Sequence, residues 1–268
     1  MTALTVALWQ APSVAGHCDL AFDQIASASA AAGLAGAEVI VFPELFLTGY
    51  ERPDLADLAL EQETRRTRLA PLAQAAGCAI CVGYPERAGD TIYNAALCVS
   101  ASGETLGNHR KIQLYGPEEA KRFTPGDRYT LFDLAGRKAA MLICYDVEFA
   151  PHIAALKRQG VEIILTPTAA MDPFDHVGAH VVPAMAANHG LSIVYANLCG
   201  TEAHLSYFGG SVIVGADGKI LAQAGRDPAM LLATVPACYD PSTLSTQGRD
   251  YRPIDTEVSC NFPAQTFD

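Results

Sequence analysis

Short apolar runs alternate along this chain with longer amphipathic stretches, and turn-forming residues separate them. The run at 4–9 predicts a strand and the alanine-rich stretch at 17–35 a helix. Val39 to Phe42 predicts a second buried strand, stopped by Pro43. A helix over 54–76 is expected next, then strands at 78–84, 93–99 and 103–109. Strands at 130–134 and 138–143, a helix over 151–159, a strand at 161–166, a helix over 178–189 and a strand at 191–197 follow. Asp217-Gly218 between two β-rich runs predicts a hairpin over 210–223, and a last strand falls at 230–235. Paired hairpins with two crossover helices in each half predict an α/β fold of two sheets packed face to face, helices outside. The stretch 236–268 has little periodicity, so it is expected to pack on the domain or on a partner subunit.

Composition narrows the class. With 268 residues, half of them hydrophobic and 18% charged, the chain can bury one large core, and no Pro/Ser/Gly-rich linker divides 1–268. A formal net charge of −11, with no basic run longer than Arg65-Arg66 or Arg110-Lys111, argues against a nucleic-acid partner. MTALTVALWQ has no basic leader region, and no apolar stretch approaches the ~20 residues of a spanning helix, so no membrane association is expected. Cys78 and Cys81 form a C-x-x-C within an apolar strand, without a second pair at zinc spacing. His176 and His180, four apart, lack an adjacent acidic ligand and read as surface or loop residues. The expectation is reduced thiols, no metal or organic cofactor, and a cytoplasmic setting.

Three segments carry candidate chemistry. KAAMLIC (138–144) delivers Cys144 to the end of an apolar run, just before Tyr145-Asp146. A strand end fixes the sulfur, and the turn after it supplies backbone N–H donors. In VIVFPELFLTGY (39–50), Glu44 follows the strand and is crowded by Leu45, Phe46 and Leu47; a carboxylate desolvated there suits a general base. NHRKIQLYGPEEAKRF (108–123) places Arg110 and Lys111 ahead of the acidic pair Glu118-Glu119.

Together these segments resemble the nitrilase superfamily of carbon–nitrogen hydrolases, whose Glu–Lys–Cys triad has that chain order. By resemblance, Glu44 matches the family's base, Lys111 its catalytic lysine and Cys144 its nucleophile, while Glu119, or Glu118 beside it, matches the second active-site glutamate. The likeness continues through EIILTPTAAM (162–171), the runs 186–200 and 208–221, and RDYRP. One departure is local: after Phe149 the chain reads Ala-Pro-His where the family usually reads Pro-Glu, removing a glutamate that normally braces this loop. The resemblance implies a four-layer α-β-β-α sandwich, a homodimer or higher homo-oligomer, and amide hydrolysis through a thioester. Cys144 would attack the carbonyl, Glu44 would move the protons, and Lys111 with the Tyr145 N–H would hold the oxyanion. The charge of Lys111 is also expected to favour the thiolate.

Tyr145-Asp146 stands where true nitrilases carry Trp-Glu, so the chain looks most like amidases acting on small aliphatic or amino-acid amides, with an N-carbamoyl hydrolase as the alternative. A non-catalytic binding member and an acyltransferase are further, weaker readings. Tyr50, Tyr115, Tyr145, Phe149, Ala169, Ala170 and Met171 are the candidate substrate-binding residues, the two alanines leaving room for a compact side chain. Asp146, Asp172 and Asp175 are the candidates to receive a substrate amine.

Overall fold

The first half of the chain runs β1 (Leu4–Gln10), α1 (Cys18–Leu34), β2 (Val39–Val41), α2 (Leu55–Leu58), α3 (Gln62–Ala76), β3 (Ala79–Ala88), β4 (Thr91–Val99), β5 (Thr105–Arg110) and α4 (Gly116–Arg122). It is seen in a computed structural model that describes residues 3–253. The second half runs β6 (Leu131–Leu134), β7 (Arg137–Met141), α5 (Ala150–Arg158), β8 (Ile163–Thr168), α6 (Val182–His189), β9 (Ser192–Asn197) and β10 (Cys199–Glu202). After these come β11 (Leu205–Phe208), β12 (Val212–Val214), β13 (Ile220–Gln223), β14 (Ala229–Val235) and α7 (Gln247–Asp250).

Two six-stranded sheets result, of order β14-β1-β2-β3-β4-β5 and β13-β12-β9-β8-β7-β6. Each has a parallel centre, β1-β2-β3 in one and β7-β8-β9 in the other, flanked by antiparallel strands. Parallel neighbours need a crossover, and α1 and α3 supply it in the first sheet, α5 and α6 in the second. Alternation along the strands decides the layering. Leu4, Val6 and Leu8 enter the inter-sheet core with Met141, Leu165 and Ile213, while Ala7 faces Phe22 and Ile25 of α1. On the far side, Ala140, Ile164 and Ile193 meet Ile153, Leu156 and Ala186 of α5 and α6. The protein is a four-layer α-β-β-α sandwich.

Several elements differ from the pattern-based expectation. The helix expected over 54–76 is two helices, because Ala59 turns extended and Leu60 bridges to Glu86, with its carbonyl accepting from Arg87 N at 3.0 Å. The helix expected from 178 opens as a wide turn over Val177–Val181, and Pro183 then starts α6. The α4 helix was not indicated by periodicity, nor was the β10–β11 ribbon, which pairs Cys199 with Phe208 and steadies Met171 through its bridge to Tyr207. After β14, α7 lies beside α5 and α6 across a groove lined by Lys157, His189, Leu244 and Arg249. The remainder of the 236–268 stretch, from 254 on, lies outside the described residues.

Gly83 shows how tightly β3 packs on the loop after β2. A Cβ built there would sit 2.5 Å from Leu45 N and 2.6 Å from Glu44 Cα, closer than atoms tolerate. Gly83→Ala should therefore displace that loop and cost ~1–3 kcal/mol, as overpacking typically does. Urea denaturation of the variant checks this; an unchanged midpoint would show that the loop yields freely.

Candidate active site

Three strand ends converge on one point. Past β2, Pro43 ends the ladder, Leu45 takes a left-handed conformation (φ 49°), and Glu44 N donates to Thr168 O at 3.2 Å. Past β5, Lys111 N donates to Asn94 O, and Lys111 O accepts from Gly126 N. Past β7, the chain enters a 3₁₀ turn over Cys144–Glu148 in which Cys144 itself is left-handed (φ 46°). Backbone of this kind costs ~1–3 kcal/mol per residue and persists only where the surroundings enforce it.

For the cysteine turn, the enforcing group is Asp146. Its fully buried carboxylate accepts from Ile143 N at 3.0 Å, Ile112 N at 3.1 Å and Gln113 N at 2.7 Å. One side chain thus clasps the segments that carry Cys144 and Lys111. Asp146 was a candidate for a substrate amine; every one of these contacts points it into the frame instead. Asp172 is also otherwise engaged, paired to Arg226 at 3.0 Å, and Asp175 is exposed. His152 takes over bracing where the family's glutamate is missing: Gln113 Nε2 donates to its Nε2 (3.1 Å), and its Nδ1 lies 2.8 Å from Tyr129 Oη.

At the centre, Lys111 Nζ donates to Glu44 Oε1 (2.7 Å) and to Glu119 Oε1 (2.8 Å), and all three residues are buried. Asn94 Nδ2 donates to Glu44 Oε1 at 2.7 Å. Tyr50 Oη donates to Glu119 Oε1, and Tyr115 N to Glu119 Oε2 at 2.7 Å. Glu118 points away, exposed and paired with Lys121, so of the two acids it is Glu119 that reaches Lys111. Glu44 Oε2 alone among these carboxylate oxygens finds no partner among the described residues.

Burial raises the Glu44 carboxyl above its ordinary value, with Lys111 pulling against that and the Glu119 charge adding to it. Burial alone would lower the Lys111 ammonium, but the two carboxylates outweigh it and hold the group well above its usual range. The Cys144 thiol is pushed well up by burial and by Glu44, more than Lys111 and the Ala169 backbone contact pull it down. Lys111 thus favours the thiolate, as expected from the sequence, but burial and the neighbouring acids outweigh it at rest. A thiolate here would stand buried beside two acids with a single ammonium to balance it.

Beside the thiol lies a cavity of about 260 Å³. Of the candidate substrate-binding residues, Tyr50, Tyr115, Tyr145, Ala169, Ala170 and Met171 line it with Cys144. Phe149 does not; it packs edge-on behind Tyr145, 4.9 Å between centroids. Glu148, Phe174 and His176 also line the cavity and were not singled out as binding residues from sequence. For Glu148 a signal was present: in a three-residue-per-turn helix, Glu148 and Asp146 cannot share a face once Asp146 turns inward.

A buried acid–ammonium–acid cluster against a thiol on a strained strand-end turn, facing a cavity open to solvent, has the parts of a cysteine hydrolase. The chain belongs to the carbon-nitrogen hydrolase family, whose sequence profile matches residues 5–239. It is 41% identical over 204 residues to a protein of Pseudomonas protegens described as a hydrolase in the pqqF 5′ region, covering 74% of this chain and 72% of that one. To an (R)-stereoselective amidase of a Pseudomonas species it is 33% identical over 214 residues, covering 78% of this chain and 77% of that one. Its fold superposes on the crystal structure of an amidase from Nesterenkonia with a TM-score of 0.85 at 32% identity, covering 94% of each chain. A glutamate-to-glutamine variant of that amidase has also been solved with the acetamide moiety of fluoroacetamide on its active-site cysteine, and a cysteine-to-alanine variant with butyramide.

The contrast between neighbouring acids is testable. Glu119→Gln should lower turnover ~100-fold or more, as removal of an electrostatic element aimed at a reacting group does, with the loss on kcat rather than KM. Glu118→Gln removes only an exposed ion pair and should leave both constants within about twofold. Steady-state kinetics of the two variants checks this, and a larger effect at Glu118 would overturn the register.

Proposed function

We propose that the protein hydrolyses the C–N bond of small primary amides, giving a carboxylic acid and ammonia through a thioester on Cys144. The observation that carries this reading is the unpartnered Glu44 Oε2, a buried base oxygen held in the cluster of Lys111 and Cys144. As Cys144 Sγ forms its bond to the amide carbon, the thiol proton passes to Glu44, and the carbonyl oxygen becomes an oxyanion. Lys111 Nζ and the Tyr145 N–H, one of the free donors of a first helical turn, are the groups available to stabilise it. Glu44 then returns its proton to nitrogen, the C–N bond breaks and ammonia leaves. Water next gives a proton to Glu44 while its oxygen attacks the thioester; the C–S bond breaks, and the sulfur recovers the proton. Glu119 orients Lys111 throughout and takes no proton.

The small walls at Ala169 and Ala170 and the amidases among its relatives support an amide over an N-carbamoyl substrate, although the same carbonyl would reach Cys144 from either. No helix among the described residues is long and apolar enough to cross a membrane. Seven free cysteines among those residues favour a reducing, cytoplasmic setting, and the family resemblance a homodimer or larger homo-oligomer of single-domain subunits, which light scattering would report.

Ammonia release should be at least ~10-fold more efficient, in kcat/KM, for a small amide than for its N-carbamoyl counterpart, about 1.4 kcal/mol of transition-state preference. The activity should survive EDTA and vanish in Cys144→Ala. The opposite preference would make this a carbamoylase, and turnover of nitriles alone would refute both readings.

The pH profile offers an independent check. Glu44 must be ionised to accept the thiol proton, so activity rises with pH as this carboxyl loses its proton. Because burial raises it, the acid limb should lie above the 4.5 of an ordinary glutamate. A limb at or below that value would remove Glu44 as the base.

A further inference from the structure

Glu148 is the last residue of the turn that Cys144 begins, and the two line the same cavity. Its carboxyl is half-buried, and burial raises it, eased only by the more distant charges of His176 and Lys111; no hydrogen bond contributes. A carboxylate set this way lacks the local partner that half-buried acids usually have. Around it the wall is aromatic. Tyr115 meets Tyr145 edge-on at 5.4 Å and Phe174 at 6.0 Å, so three rings share this wall, a surrounding that favours a cation over an anion. Among the lining residues there is no lysine or arginine, and His176 sits exposed. An anionic substrate group would meet a like charge with no lysine or arginine on the wall to answer it, whereas an ammonium would offset the desolvation of Glu148.

Resting on the amidase reading, we propose that Glu148 is a specificity-determining residue that selects amides bearing a positively charged amine at the end remote from the scissile bond. The reacting carbonyl lies against Cys144, and the amine lies between the Glu148 carboxylate and the tyrosine faces. The chemistry of the reaction is unchanged; the charge acts on binding.

Three amides of matched length test this near neutral pH: β-alaninamide ends in an ammonium, butyramide in a methyl group and succinamate in a carboxylate. The wild-type kcat/KM should be at least ~10-fold higher for β-alaninamide than for butyramide, and lowest for succinamate. Glu148→Gln should lose at least ~10-fold more on β-alaninamide than on butyramide, chiefly through KM, and Glu148→Lys should favour succinamate over β-alaninamide. A general structural defect would depress all three together. Equal losses on the charged and neutral amides, or a wild type that prefers butyramide, would overturn the assignment. If the cation preference appeared only among N-carbamoyl diamines, Glu148 would keep its role and the amide reading would fall. Turnover of neither class would sink both.

Discussion

A lysine held dry between two carboxylates is the constraint around which this molecule is arranged. Lys111 could not stay charged in that interior without Glu44 and Glu119, and its ammonium in turn opposes the burial that raises Glu44. Ion clusters of this kind are weak contributors to stability, since the desolvation they suffer is comparable to the attraction they gain. Their value lies in what they impose on a neighbour. Buried and set beside Glu44, the thiol keeps its proton until a carbonyl arrives to accept the sulfur's electrons. Proton transfer and bond formation are thus tied together, and an idle enzyme does not carry an exposed thiolate that stray electrophiles would consume.

The surrounding frame keeps the cluster both dry and fixed. Asn94, Tyr50 and the Tyr115 N–H fill the acceptor positions that Lys111 leaves, so that one oxygen, Glu44 Oε2, stays open. Glu202 buttresses Tyr50 in turn, accepting from Tyr50 N and from Tyr207 Oη, both at 3.1 Å. That chain of contacts reaches the β10–β11 ribbon, which ties the cover of the site to its centre.

Much of this arrangement could be read from the sequence because local chemistry dictates it. Pro43 must stop β2, so Glu44 must emerge at a strand end; the apolar run into Cys144 does the same for the thiol. The layered architecture follows from runs buried on both faces joined by amphipathic helices. What escaped reading depends on the third dimension. Glu118 and Glu119 are chemically alike, and only the docking of α4 buries one and leaves the other in solvent. Asp146 and Glu148 belong to one short turn, and their opposite fates depend on backbone N–H groups at Ile112 and Gln113 that approach from another segment. The ribbon has neither strong alternation nor an Asn-Gly or Asp-Gly turn; its pairing comes from covering the site.

The pairing of β14 with β1, register by register from Leu4↔Val235 to Gln10↔Ala229, has a bearing on how the molecule is made. Among the described residues β1 precedes β14 by the whole second half of the fold, so its outer row of N–H and C=O groups is capped only after that half has been made. Until then the growing chain presents a bare apolar edge, open to pairing with its neighbours on a polysome. Slow translation between these two strands would lengthen the time that edge stays unpaired.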